Sequence, residues 1–173
     1  MNITLIGYKG TGKTTVSRLL SKKLQKKALS TDEEIKKKVK LTVSKYVKKH
    51  GWDKFREVEA DVLDDMCGLD DCIIDAGGGI VMRNENIVNI KKTGLVILLT
   101  ADSRTIASRI KKEDIGSMHK NMSVKGYIEK VIAEREERYK MAADYAIDTS
   151  NMSPEEVCDL ITHYISQEQL NMG

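Results

Sequence analysis

Short apolar runs alternate along the chain with longer stretches in which apolar positions recur every three or four residues. That alternation is the pattern of parallel strands joined by crossover helices, and it predicts an α/β fold. Five strands are readable: Asn2 to Ile6, a short one at Ala28 to Ser30, Cys72 to Asp75, Leu95 to Thr100, and Tyr145 to Asp148. Helical periodicity covers Lys13 to Lys26, an insertion from Asp32 to Leu63 broken near Gly51, Asn84 to Lys92, Ser103 to Lys112, Ser123 to Ala142 and Ser153 to Leu170. The last start is the best marked. Ser153 stands at the N-cap, Pro154 at the first helical position and Glu155-Glu156 in the first turn, each where the orphan amides and dipole of a helix start favour it. The polar stretch Lys112 to Asn121, with Gly116 inside it, is the candidate mobile loop.

Composition narrows this picture without changing it. A chain of 173 residues, 40% apolar and 32% charged, suits one compact soluble domain over residues 1–173. The longest apolar run, Leu95 to Leu99, is far shorter than the ~20 residues of a bilayer span, so a cytoplasmic protein with no membrane partner is expected, and a monomer. Cys67, Cys72 and Cys158 have neither disulfide-framework nor zinc spacing and read as reduced, mostly buried thiols. The net charge of +3 is spread over helical segments such as Lys36-Lys37-Lys38, which reads as solvated helix faces and not as a nucleic-acid groove.

Candidate chemistry begins at Gly7-Tyr8-Lys9-Gly10-Thr11-Gly12-Lys13-Thr14, which fits G-x-x-x-x-G-K-[ST] between an apolar strand and a helix. In that context the glycines let backbone N–H groups turn inward around phosphate oxygens, and the helix N-terminus adds positive potential. Gly10, Thr11, Gly12, Lys13, Thr14 and Thr15 are therefore the candidate ATP-binding residues. Lys13 is placed to neutralise the β- and γ-phosphates and Thr14 to ligate Mg²⁺. The guanine-reading N-K-x-D of a GTPase is absent.

Four further stations follow. Ser30-Thr31-Asp32-Glu33-Glu34-Ile35 is similar to D-[ST]-D-x-x-I, and Phe55-Arg56-Glu57-Val58-Glu59 to F-R-x-x-E. Gly77-Gly78-Gly79 follows the third strand, and Glu134-Arg135 with Tyr139 is similar to E-R-x-x-x-Y. In this order around a P-loop they resemble the shikimate kinases over most of the chain. The resemblance implies a P-loop three-layer α/β/α sandwich on a five-stranded parallel sheet, like the nucleoside monophosphate kinases, with residues 32–63 as a helical substrate-binding insertion and 112–124 as a lid. It implies transfer of the γ-phosphoryl group of ATP, with Mg²⁺, to a hydroxyl of shikimate or a similar small hydroxy acid, giving shikimate 3-phosphate and ADP. By the same resemblance Asp32 orients the acceptor hydroxyl, Arg56 and Arg135 grip a carboxylate, Gly77, Gly78 and Gly79 let backbone approach the ring, and Arg109 stacks on adenine near Asp148 to Pro154. Two arginines and a carboxylate suit an anionic alcohol in any case, through paired donors and a proton acceptor. Helix capping by Asp32 and surface ion pairing by Arg56 and Arg135 are the structural alternatives.

Two positions depart from the family pattern. Ser30 stands where the first acidic residue of D-x-D belongs, while Asp75, ending the third strand, lies where many P-loop enzymes keep a metal-side carboxylate. The metal-side charge is thus expected to have moved from position 30 to position 75, a structural Asp75 being the alternative. In the lid, Ile115-Gly116-Ser117-Met118 matches R-P-L-L without its arginine, leaving Lys111, Lys112 or Lys120 to supply charge. The change at the lid keeps open a kinase of the same fold with another acceptor, such as a sugar acid or nucleoside monophosphate, and a non-catalytic ATP-binding module. His50, His119 and His163 are scattered singly and receive no catalytic role.

Overall fold

The five apolar runs form one parallel sheet in the computed structural model, which describes residues 1–111, 115 and 121–171. The strands are β1 (Asn2–Ile6), β2 (Lys27–Ser30), β3 (Cys72–Asp75), β4 (Gly94–Thr100) and β5 (Tyr145–Asp148), in the order β2-β3-β1-β4-β5. Successive crossovers reverse direction about β1, the arrangement that opens a crevice beyond the carboxyl ends of the central strands. The register fixes what faces that crevice: Asp75 is the pairing partner of Leu5 on one side and of Ser30 on the other.

The strands read as nearly continuous apolar runs because both faces of the sheet are covered. Ile3, Leu5, Ile73, Leu95, Ile97 and Leu99 point to one face, into a core with Val16 and Leu20 of α1 (Lys13–Leu24) and Val157 and Ile161 of α7 (Pro154–Asn171). Ile6, Ile74, Val96 and Leu98 point to the other. There they meet α2 (Thr31–Val39), α3 (Val43–Cys67), α4 (Asn84–Thr93) and α6 (Val124–Ala142) through Ile35, Phe55, Leu63, Ile90 and Tyr139. Each fully buried aliphatic side chain contributes about 1.5–3 kcal/mol. A smaller cluster of Tyr8, Ile106, Ile128 and Val131 joins the first loop to α6 and to α5 (Ser103–Arg109).

Several boundaries differ from the periodicity. The first helix stops at Leu24 because Gln25 turns left-handed, with φ 55°. The stretch 32–63 breaks twice: at Gly51 (φ 84°) as expected, and also at Lys40 (φ 54°), after which Thr42 caps α3 by accepting from the Lys45 amide. The helix expected to reach Lys112 ends at Arg109. At the last helix Ser153 and Glu156 cap each other reciprocally, the Ser153 amide donating to Glu156 Oε2 at 2.7 Å and the Glu156 amide to Ser153 Oγ at 3.2 Å. All three cysteines are buried and free. Among the described residues no helix is long and apolar enough to cross a membrane. Most of the expected lid, with Lys112, Gly116, Ser117, Met118, His119 and Lys120, lies outside the described residues.

Candidate active site

The loop between β1 and α1 is shaped by close packing as well as by torsion. Gly7 has φ 138°, and a Cβ there would collide with the Leu99 carbonyl oxygen of the neighbouring strand. Thr11 Oγ1 donates to the Tyr8 carbonyl at 2.8 Å, and Lys13 Nζ donates to the carbonyls of Gly7 (2.9 Å) and Tyr8 (3.2 Å), so the ammonium lies within the curl of the loop. Burial lowers its pKa below the ordinary 10.5, opposed by the charges of Asp75 and Asp32 and reinforced by Lys9 and Arg135. Lys13 is thus a concentrated positive charge that an added polyanion would stabilise.

Asp75 and Thr14 meet across this loop, Thr14 Oγ1 donating to Asp75 Oδ2 at 2.6 Å. Burial raises the Asp75 carboxyl above its ordinary range, while Lys13 and the Thr14 hydrogen bond pull it down and Asp32 pushes it up. Ser30, the pairing partner of Asp75, spends its hydroxyl capping α2 by accepting from the Glu33 amide at 3.5 Å. That geometry disposes of one alternative: Ser30, not Asp32, caps α2, and Asp32 sits in the first turn beside the sheet edge. A hydroxyl and a carboxylate side by side are hard oxygen donors of the kind that hold Mg²⁺ together with phosphate and water oxygens. No cluster of three or more His, Cys, Asp or Glu side chains able to hold a metal occurs among the described residues.

The residues expected on the acceptor side come together at the glycine triplet. A Cβ on Gly77 would lie 3.1 Å from Asp32 Oδ1 and 3.3 Å from Glu59 Oε1; one on Gly78 would lie 3.4 Å from Arg135 Nη1 and 3.4 Å from the Gly7 carbonyl. At Gly79 a Cβ would overlap the Arg56 guanidinium, with Cζ at 2.5 Å, and could be housed only if that side chain moved away. Arg56 and Arg135 therefore turn inward onto one stretch of backbone next to the phosphate loop. The alternative of surface ion pairs on outer helix faces does not hold for either.

Each guanidinium has a fixed support. Arg56 Nη1 donates to Glu59 Oε2 at 2.5 Å, one helical turn along α3, and its cationic carbon lies 5.3 Å from the Trp52 ring centre and 5.4 Å from that of Phe55. Glu59 is 2% exposed. Burial raises its pKa, and the Arg56 charge and hydrogen bond draw it back. Arg135 Nη1 donates to the Gly78 carbonyl at 2.8 Å, which also accepts from Tyr139 Oη at 2.5 Å. Thr31 Oγ1 accepts from the Gly77 amide at 2.8 Å and fixes the start of the triplet. Arg138 Nη1 holds the following turn through the Val81 carbonyl (3.2 Å) and Asn84 Oδ1 (3.0 Å).

Arg109 donates to the Gly10 carbonyl (3.3 Å), Thr149 Oγ1 (3.1 Å) and the Thr149 carbonyl (3.0 Å). The single Thr149 hydroxyl proton is in turn shared between the carbonyls of Thr11 (2.9 Å) and Thr100 (3.0 Å), so the loop after β5 is tied to the phosphate loop. Thr14 and Thr15 stand at the exposed mouth of the loop. Sequence reasoning assigned no role to Glu59, Tyr139, Thr31 or Thr149. Glu59, Tyr139 and Thr31 stand inside quoted motifs and Thr149 within the stretch Asp148 to Pro154, and the i, i+3 spacing of Arg56 and Glu59 was a visible signal of pairing.

A family model described as shikimate kinase matches residues 9–166. A shikimate kinase from Pelotomaculum thermopropionicum is 34% identical over 166 residues, covering 96% of each chain. One from Dehalococcoides mccartyi is 38% identical over 172 residues, covering 99% of this chain and 97% of its own. Among solved structures, the shikimate kinase from Acinetobacter baumannii in complex with shikimate superposes with a TM-score of 0.91 at 26% identity, covering 98% of this chain and 94% of its own.

Proposed function

We propose that this chain, which belongs to the shikimate kinase family, transfers the γ-phosphoryl group of ATP to a ring hydroxyl of shikimate, giving shikimate 3-phosphate and ADP. The observation that carries the proposal is the convergence of Arg56 and Arg135 on the glycine triplet, with Gly78 shared between Arg135 and the phosphate loop. Two guanidinium groups on one strip of backbone recognise a carboxylate by charge and by orientation, and the loop beside them presents amides and an ammonium to a triphosphate.

In this reading the amides from Gly10 to Thr15 and Lys13 Nζ hold the phosphates, and Arg109 borders the adenine. Arg56 and Arg135 fix the acceptor carboxylate, and the backbone of Gly77, Gly78 and Gly79 lies along the ring. Asp32, beside Gly77 and within the field of Lys13, orients the hydroxyl and takes its proton as the oxygen forms its bond to phosphorus. Lys13 stays charged and follows the negative charge as it moves from the γ- to the β-phosphate oxygens. Thr14 and Asp75 would hold Mg²⁺, whose chemistry when bound is to neutralise the β- and γ-oxygens. Residues 32–63 act as the acceptor-side insertion and 112–124 as the lid that excludes water.

A coupled assay for ADP release tests the proposal. Release should depend on shikimate and saturate below millimolar concentration, with sugar acids and nucleoside monophosphates inactive. Absence of shikimate-dependent release at millimolar shikimate, with ATP binding intact, would overturn it.

A further inference from the structure

Resting on that reading of the acceptor site, we infer that Tyr139 is a positioning residue: its hydroxyl pins the Gly78 carbonyl on which Arg135 is aligned, so that loss of the hydroxyl weakens recognition of the acceptor's carboxylate alone. The Gly78 carbonyl accepts from two donors of the same helix, Arg135 Nη1 at 2.8 Å and Tyr139 Oη at 2.5 Å, one turn apart on α6. Only one of these has other work. Arg135 must give N–H groups to an incoming carboxylate, whereas Tyr139 is 4% exposed and its ring is fixed in the core beneath the triplet.

The hydroxyl is well suited to a permanent bond. Burial raises the phenol pKa above 10, against the Arg135 charge, a side-chain hydrogen bond with Arg135 that itself helps align the guanidinium, and the Arg56 charge, so Tyr139 stays a neutral donor to the Gly78 carbonyl throughout the neutral range. A carbonyl with two lone pairs can keep the Tyr139 hydrogen bond while Arg135 shares its guanidinium between Gly78 and a ligand. Gly78 has no side chain, so the two hydrogen bonds to its carbonyl set the plane of the Gly78–Gly79 peptide. Without the hydroxyl, Arg135 is drawn more fully onto the carbonyl, and its planar fork turns from the direction a carboxylate needs.

Tyr139→Phe keeps the ring, its packing and the Arg135 bond to Gly78, so the variant should fold. The experiment compares wild type and Y139F with two acceptors: shikimate, and an analogue in which a hydroxymethyl group replaces the carboxylate. Calorimetry in the presence of Mg²⁺ and a non-hydrolysable ATP analogue gives the dissociation constants. The expected result is a loss of shikimate affinity of about tenfold in Y139F, as for one charge-assisted contact made poorly, with affinity for the hydroxymethyl analogue and for the nucleotide within twofold of wild type. Equal losses for both acceptors would mean that the hydroxyl serves only the fold of the pocket, and no loss would mean that Arg135 needs no guide; either overturns the inference. Wild type that fails to bind shikimate would refute the acceptor assignment instead, a different outcome from normal wild-type binding and an unaffected variant.

Discussion

Adding a single methyl group at Gly79 should separate acceptor recognition from everything else the protein does. Gly79 has φ −98° and ψ 4°, torsions open to alanine, so Gly79→Ala requires no backbone strain. Its Cβ would stand 2.5 Å from Arg56 Cζ, while ordinary contact begins at 3.4 Å; the guanidinium must therefore retreat by about 1 Å. The side chain is flexible, and alanine restricts the unfolded chain by about 0.4–1 kcal/mol in the variant's favour. The melting temperature should thus change by no more than a few degrees. Recognition is less forgiving, because the shift disturbs the 2.5 Å pair with Glu59 and misdirects the donors meant for the acceptor. A 1 Å misplacement can cost about 100-fold in rate, which corresponds to ~2.7 kcal/mol of transition-state binding. Steady-state kinetics with shikimate varied at saturating ATP, then ATP varied at saturating shikimate, should show kcat/KM for shikimate down by about 100-fold and the KM for ATP unchanged. An unchanged kcat/KM for shikimate, or an equal rise in both KM values, would refute the placement of Arg56 in the acceptor pocket.

Three further outcomes follow from the phosphate side. Asp75→Asn keeps the size of the group but removes its charge beside Thr14, and the Mg²⁺ concentration giving half-maximal rate should rise by about tenfold or more; an unchanged Mg²⁺ dependence would leave Asp75 structural. Burial holds the Lys13 pKa below 10.5 and a triphosphate favours the ammonium, so nucleotide binding should take up protons and weaken as pH rises through the lowered value. The nucleotide-free fold moves oppositely, since a base with a depressed pKa contributes stability above 10.5 that is lost as pH falls. Calorimetry in buffers of different ionisation heat reads the proton uptake, and its absence up to pH 10.5 would contradict the buried ammonium. Thr149→Val removes, at nearly constant volume, the one hydroxyl that the Thr11 and Thr100 carbonyls share and that accepts from Arg109; it should cost about 1–3 kcal/mol in urea unfolding and raise the KM for ATP, and wild-type values for both would show the tie to be idle.

The elements that were legible in the chain are those whose signals are local. The loop from Gly7 to Thr14, the capped start at Ser153-Pro154 and the strands of both sheet faces follow from spacing and periodicity. The break at Lys40 was not legible, because Lys40-Leu41-Thr42 contains neither glycine nor proline; packing of Val39 and Val43 against the core offsets the cost of the left-handed torsion at Lys40. Glu59 was legible as the acid of F-R-x-x-E but its burial was not, because its 2% exposure arises where the glycine triplet packs against it. The partners of Arg135, Arg138 and Arg109 include backbone carbonyls, which no side-chain pattern encodes. The relation of Ser30 to Asp75 is a matter of register: the two stand opposite each other on β2 and β3, so the Asp75 carboxylate lies beside the position that Ser30 occupies.

The central claim, that guanidinium groups held on the glycine triplet seize the acceptor's carboxylate, is tested most directly by the dissociation constant of shikimate for Arg135→Ala. Tyr139 still satisfies the Gly78 carbonyl in that variant, so the pocket keeps its frame while one charged donor is lost, worth about 1.5–3 kcal/mol. Shikimate should bind roughly 10- to 150-fold more weakly, with nucleotide affinity unaltered. Binding within twofold of wild type would contradict the account.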